Sequence, residues 1–560
     1  MKSKRILSAV LSVSLLTSAM LVGCGSSSNK GSANTANGEM DKEQYLNLVL
    51  GAEPKSLDAS KASDLYSSQV LNEVMEGLTR VEQENGKDVI KPAGAEKWDV
   101  SNDKKEWTFH LRDNKWSDGK PVTANDYAYG IRRTLEAKTG SPYAFLLFPI
   151  KNAKEFNSEK AKVNELGVKV IDDKTLKITL EKPTAYFLDL TYFKVMHPQR
   201  KDIVEKSGER YGTEKDTMIF CGPFAISNWV HNNKVELKKN EQYWDKNSVK
   251  LNKVTMKIIS QEPSRMSELL NGQIDMGAVS HPDWVKKFDS TQNYNVIKGY
   301  DGSTAYSFFN QTDKYFKNEK IRKAFILADD REGKAKTLFR GLATPAYAWC
   351  APQVLIGEKD EYRSLVKDEP IKKLKEQYKD PKALLVEGLK EIGADPDPAK
   401  MSITLLQSGT DARSKEFAEF DQQNYKNALG VNLKIEYVEW PIFAKRTDEK
   451  DYQFAGMGWT GDYNDPMTFF DMWTSTAGVV PTGWKNKEYD ELINKASLTS
   501  DDKERAELFK KAEQVLLQKD GVASPTVYRM RQTYTRKYVN NVMVPLFGTT
   551  EVKYAYTKGR

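Results

Sequence analysis

The chain has 560 residues, of which 29% are charged and 39% hydrophobic, and a formal net charge of +7. A chain this long buries more than one core, so two lobes or more are expected. The positive balance is spread without a dense basic stripe, which argues against nucleic acid as a partner.

The N-terminus reads as an address. Lys2, Lys4 and Arg5 form a basic n-region, and the apolar run Ile6 to Leu21 is too short for a comfortable membrane span. Leu21-Val22-Gly23-Cys24 follows and resembles the bacterial lipobox, in which cleavage precedes a cysteine that is then lipid-modified. Residues 1–23 are therefore expected to be a signal peptide and 24–40 a Gly/Ser/Asn-rich tether. Two acyl chains on Cys24 suffice for stable anchoring at the outer face of the cell membrane. Loss of the two lysines and one arginine lowers the net charge from +7 to +4. Cys221 and Cys350 remain as a pair in an oxidising compartment, where a disulfide between them is possible.

In chain order, Tyr45 to Leu50 reads as a strand and Ser67 to Thr79 as a helix with Val70, Leu71, Val74, Met75 and Leu78 on one side. Trp107 to Arg112 alternates as a strand. Thr123, with Asp126 three residues on, predicts a capped helix to about Leu135. Strands are expected at Lys174 to Leu180, Val235 to Lys239 and Val254 to Ile259. Ser264 to Leu270 reads as a helix and Gly272 to Met276 as a short strand. Tyr306 to Asn310 is a strand, followed by helices at Lys317 to Ala328, Gly333 to Phe339 and Lys382 to Ile392. Ile403 to Leu406 and Leu433 to Val438 are strands, and Lys503 to Gln518 is an amphipathic helix. Helices and strands mix throughout, so the class is α/β, or mixed α+β.

One stretch carries the most chemistry. Tyr452 to Gly458 reads as a strand that runs through Trp459, Thr460 and Gly461 into Asp462, then into a polar turn closed by Asn464, Asp465 and Pro466. The glycines let a ligand backbone approach closely, and Asp462 can meet a small cation such as a peptide's terminal amine. Alternatively Asp462 makes an Asx-turn. Gly456, Gly458 and Gly461 spell a dinucleotide fingerprint, but the acidic turn after them replaces the helix that a pyrophosphate needs. The four histidines are scattered, there is no Walker A sequence or nucleophile elbow, and the cysteines lack zinc spacing. No catalytic residue, metal site or cofactor is predicted, and the protein is not expected to be an enzyme.

The most specific segments are Trp107-Thr108-Phe109-His110-Leu111-Arg112, Trp116-Ser117-Asp118-Gly119-Lys120-Pro121, Gly272-Gln273-Ile274-Asp275-Met276 and Gly458-Trp459-Thr460-Gly461-Asp462-Tyr463-Asn464-Asp465-Pro466. With Ser56-Leu57-Asp58, Ser141-Pro142-Tyr143-Ala144 and Gly222-Pro223-Phe224 they resemble extracytoplasmic solute-binding proteins of family 5, the oligopeptide- and dipeptide-binding receptors of ABC importers. The resemblance implies a two-lobed periplasmic-binding-protein fold of class II, cluster C type, with an extra domain and a hinge crossed twice, near Gly299 to Ser303 and Pro525 to Tyr528. By position, lobe I is 41–75, 200–300 and 525–560, the extra domain is 76–199 and lobe II is 301–524. The implied partners are an oligopeptide, the subunits of an ABC permease and the membrane through its anchor, with the protein acting as a monomer. Other ligands bound by relatives of this fold are nickel complexes, oligosaccharides and signalling peptides.

Residue by residue, Asp462 matches the acid for the peptide's ammonium. Gly458, Thr460 and Leu65 match positions whose backbone pairs with the peptide. Trp459, Trp440, Tyr143 and Tyr306 match or adjoin pocket-lining positions. Gly456 stands where well-known relatives carry a basic residue, and Arg413 stands where they carry a histidine for the peptide's carboxylate. Arg413 is therefore either the carboxylate partner or a solvated surface charge. Ser63 and Asp64 replace an acidic residue of the early lobe I loop.

Overall fold

A computed structural model describes residues 39–560 apart from 85, 358, 359, 476, 478, 479 and 481. Cys24, the signal peptide and most of the tether lie outside the described residues. No helix among the described residues is long and apolar enough to cross a membrane.

Three sheets build the body. The first is four-stranded, with Tyr45–Leu50 parallel to Lys253–Ile258, which continues antiparallel into Lys234–Lys239 and Phe224–Val230. Leu46, Leu48 and Leu50 alternate inward and are buried, as the period of a strand requires. The second is a four-stranded antiparallel sheet in the order Ala95–Val100, Glu106–Leu111, Thr175–Thr179, Val168–Asp172. The helix Ala124–Leu135 packs on it. The capping box expected there is formed, with the Thr123 N–H donating to Asp126 Oδ2 at 2.8 Å.

The third sheet has seven strands, and two long ones make its spine. Tyr294–Phe309 runs antiparallel to Ala523–Arg536, and their register slips between Tyr300 and Thr304. On one side of the slip the pair carries Met276–Val279. On the other it carries Ala343–Pro345, Phe454–Thr460, Ile403–Ser408 and Leu433–Val438. Asp275 Oδ2 accepts from Asn47 N at 2.6 Å, which ties the first end to the four-stranded sheet. Helices and strands mix throughout the three sheets, so the fold is mixed α/β.

Several expectations shift. The helix after Asp64 spans Leu65–Val74, and Thr79 opens a strand, Thr79–Glu84, instead of closing the helix. The return strand is Met276–Val279 rather than Gly272 to Met276, because Gly272 takes φ +74 and turns the chain first. The bridge between Cys221 and Cys350 is not formed: both are free, buried thiols. Cys221 follows the backbone of Val74, whereas the Cys350 N–H donates to Glu513 at 3.1 Å, so they are held by different elements.

Candidate peptide-binding cleft

The strand Phe454–Thr460 is paired along one flank with Thr304, Ala305 and their neighbours from Ser303 to Phe309. Its other flank meets Ile403–Ser408 only at Phe454 and Ala455. From Gly456 to Thr460 no strand among the described residues pairs with that second row of N–H and C=O groups, and Gly458 and Thr460 are exposed. An open row of this kind is a template for an added strand. Gly456 leaves room there: a Cβ on it would come no nearer than 3.5 Å to another atom, the carbonyl oxygen of Tyr306.

The open row ends at Asp462. Gly461 presses so closely on Phe547 that a Cβ would lie 2.6 Å from the ring, which fixes the chain's exit from the sheet. The Asp462 N–H donates to Thr468 Oγ1 at 3.0 Å, and the Trp459 indole to the Thr468 carbonyl at 2.9 Å. The Asx-turn in this loop belongs to Asp465, whose Oδ1 accepts from Met467 N at 2.9 Å and pairs with Arg505 Nη2 at 2.8 Å. Asn464 Oδ1 takes the Leu355 N–H at 2.9 Å. Of the loop's acids, Asp462 is therefore the one whose carboxylate is not spent on its own backbone.

Burial pushes the Asp462 carboxyl up to about 6, and the Lys194 charge holds it below where burial alone would take it. Lys194 is itself buried. Desolvation pushes its amine down to about 8, with Asp462 and Asp64 pulling it back. Its Nζ donates to Ser68 Oγ at 2.8 Å and lies 4.3 Å and 4.8 Å from the ring centres of Phe193 and Tyr143. Asp64 caps the helix Leu65–Val74, accepting from Ser67 N at 2.8 Å and Ser67 Oγ at 2.6 Å. Burial, then Asp462 and Asp64, push the Tyr143 phenol up to about 12. Two carboxylates, one ammonium and a phenol thus share this end of the cleft, a set that gains by taking one more cation.

The other expected residues spread out. Leu65 is 65% exposed at the head of its helix, next to Asp64. Trp440 is 57% exposed and stacks on Phe443 at 5.7 Å. Tyr306 is 2% exposed, lies in register with Met457 and packs edge-on to Trp349 at 4.8 Å, within the core. Arg413 donates to Glu416 Oε2 at 2.7 Å and to the Leu338 carbonyl, and lies 4.5 Å over the Phe417 ring. Lys194 and Arg529 escaped sequence reasoning. A lone lysine or arginine carries no local signal of being folded against an acid far along the chain.

Residues 89–480 match the family model "Bacterial extracellular solute-binding proteins, family 5 Middle". The chain is 32% identical to an oligopeptide-binding protein, OppA, of Bacillus subtilis, over 98% of this chain and 99% of that one. It is 35% identical to the dipeptide-binding protein DppE of the same organism, over 89% of each. Among solved structures, the substrate-binding domain of an oligopeptide ABC transporter from Bacillus anthracis superposes with a TM-score of 0.78 at 31% identity, covering 92% of this chain and 99% of that one. Listeria monocytogenes OppA bound to peptide superposes with a TM-score of 0.78 at 30% identity, covering 93% and 100%. The chain belongs to family 5 of the bacterial extracellular solute-binding proteins.

Proposed function

We propose that this protein captures extended oligopeptides between its lobes and hands them to an ABC permease. The single observation behind this reading is the open backbone row from Gly456 to Thr460 that ends at the carboxylate of Asp462. Main-chain pairing is indifferent to side chains, so one site accepts many sequences. Asp462 sets the register by meeting the terminal ammonium, and loss of one member of such a buried pair costs about 2–5 kcal/mol. The relatives named for oligopeptide and dipeptide binding support the same cargo. The reading requires no catalytic step and a single copy of the chain.

In this reading lobe I is 41–75, 200–300 and 525–560, the extra domain is 76–199 and lobe II is 301–524. The slip in the paired strands near Tyr300 would serve as the hinge. Closure is driven by a ligand that contacts both lobes at once. Calorimetry with a peptide and its N-acetyl form tests the cargo: the free amine should bind at least tenfold tighter, and Asp462→Asn should erase the difference. Equal affinity of both forms for the unaltered protein would remove the ammonium reading.

We further propose that Cys24 carries a lipid that holds the protein at the outer face of the cell membrane. Cys24→Ser should appear in the medium, and its retention in the membrane fraction would count against the anchor.

A further inference from the structure

Arg529 lies on the strand Ala523–Arg536, in register with Ala343 and at the slip in the paired strands. Its guanidinium leans back over the sheet toward the open row. Nη2 donates to Ser303 Oγ at 2.8 Å and pairs with Asp301 Oδ2 at 3.0 Å. Ser303 Oγ in turn lies 2.6 Å from Thr460 Oγ1, so the arginine is fastened to the strand that bears the row. Nη1 stands 3.9 Å from the place a Cβ on Gly458 would occupy. Nη1 makes no hydrogen bond to the described residues, and Nε is buried with none. The side chain is 43% exposed.

These facts describe a guanidinium aimed and held through Nη2 by Ser303 and Asp301, with Nη1 left unused 3.9 Å from the place a Cβ on Gly458 would occupy. A charged N–H donor such as Nη1 favours a carboxylate, because hydrogen bonds between ionised partners are about twice as strong as neutral ones. Arg413, the cation expected to do this from sequence, is folded against Glu416, the Leu338 carbonyl and the Phe417 ring, whereas Arg529 is fastened to the strand that bears the open row. We infer that Arg529, rather than Arg413, meets a carboxylate of the bound peptide, and that it selects ligands carrying one about three residues from their amine.

The spacing follows from the strand. Gly458 and Asp462 are four residues apart, at most ~13 Å in extended chain. The ~3 Å hydrogen bond from the ammonium to Asp462 takes up part of that span, and the remaining ~10 Å is covered by about three peptide residues. The carboxylate there is either the C-terminus of a tripeptide or an acidic side chain at position three of a longer peptide.

The inference rests on the peptide reading above, and its test separates the two. Calorimetry on the unaltered protein compares a tripeptide with its C-terminal amide, and a pentapeptide bearing Glu at position three with its Gln form. The expected result is at least a tenfold preference for the carboxylate in one arm or both, and the arm identifies its source. Arg529→Gln should abolish that preference, Arg529→Lys should keep part of it, and Arg413→Gln should leave it unchanged. Both arginine variants should retain the preference for a free amine over its acetylated form. No carboxylate preference in either arm, or one that survives Arg529→Gln, would overturn the inference. Loss of the free-amine preference in the unaltered protein would instead count against the ammonium reading.

Discussion

The ring of Tyr186 lies stacked on that of Tyr463, with centroids 4.7 Å apart and planes 15° from parallel. Tyr463 directly follows Asp462, and Tyr186 follows the four-stranded antiparallel sheet, so the stack joins that sheet's end of the chain to the Asp462 loop; in the proposed two-lobe reading it spans the cleft. Lys182 Nζ reinforces it by donating to Ser497 Oγ at 2.9 Å and Asn494 Oδ1 at 3.2 Å. An aromatic pair of this kind contributes about 0.5–1.5 kcal/mol beyond burial.

Tyr186→Ala should therefore favour the open form and weaken peptide binding about 3- to 10-fold. The change should appear as faster release with little change in capture. Surface plasmon resonance resolves the two rates. An unchanged release rate would mean that the stack does not hold the cleft shut.

Binding of a free-amine peptide should depend on pH through Asp462. An ammonium needs the ionised carboxyl, whose protonation falls near 6. Affinity should be flat just above that value and fall roughly tenfold per pH unit below it. The peptide's own α-amine loses its proton above about pH 8. Lys194→Met removes the charge that holds the carboxyl down, so the acid limb should move to higher pH. Calorimetry across this range checks both limbs, and an acid limb left in place by Lys194→Met would break the coupling.

Asp471 predicts a stability effect of definite sign. Its carboxyl accepts from the Tyr463 hydroxyl at 3.4 Å and from the Met472 backbone, which offset only part of its burial. Burial, then its neighbours Asp462 and Asp465, push it up to about 7. The folded value lies above the unfolded one of 3.8, so its contribution is full below 3.8 and is lost as pH rises through about 7. Asp471→Asn should stabilise the ligand-free protein by on the order of 2–4 kcal/mol at pH ~8 and by little at pH ~4. Thermal unfolding at the two pH values measures it.

Phe547 is wedged between two glycines. A Cβ on Gly302, which takes φ +67, would lie 2.3 Å from its Cε1, and one on Gly461 would lie 2.6 Å from the same atom. Gly302→Ala should cost about 1–3 kcal/mol from overpacking, with backbone strain added. Phe547→Leu in the same chain should recover the overpacking part only. Urea denaturation of the single and double variants separates the two contributions.

How much of this was legible in the sequence depends on whether the signal is local. The Thr123–Asp126 box and the strand Leu433–Val438 follow from neighbouring residues, and both form as expected. The sequence announces the strand Tyr294–Phe309 only from Tyr306 onward. Its first half carries Asn295, Lys298, Gly299 and Gly302, a pattern with no clean alternation, and it is kept extended by Ala523–Arg536. The helix Ala412–Leu429 went unnoticed because its buried residues are only Ala418, Tyr425 and Leu429, too thin a stripe to stand out. In the cleft, the Gly456-to-Asp462 stretch declares itself by composition. Lys194, Asp64 and Arg529 come to it from other elements, and only the folded chain shows that they meet.

Cys221 and Cys350 are held in separate places as thiols. Among the described residues no disulfide ties one part of the fold to another. Peptide binding should therefore be indifferent to oxidants and reductants, and a thiol reagent in the buffer should leave cargo uptake untouched.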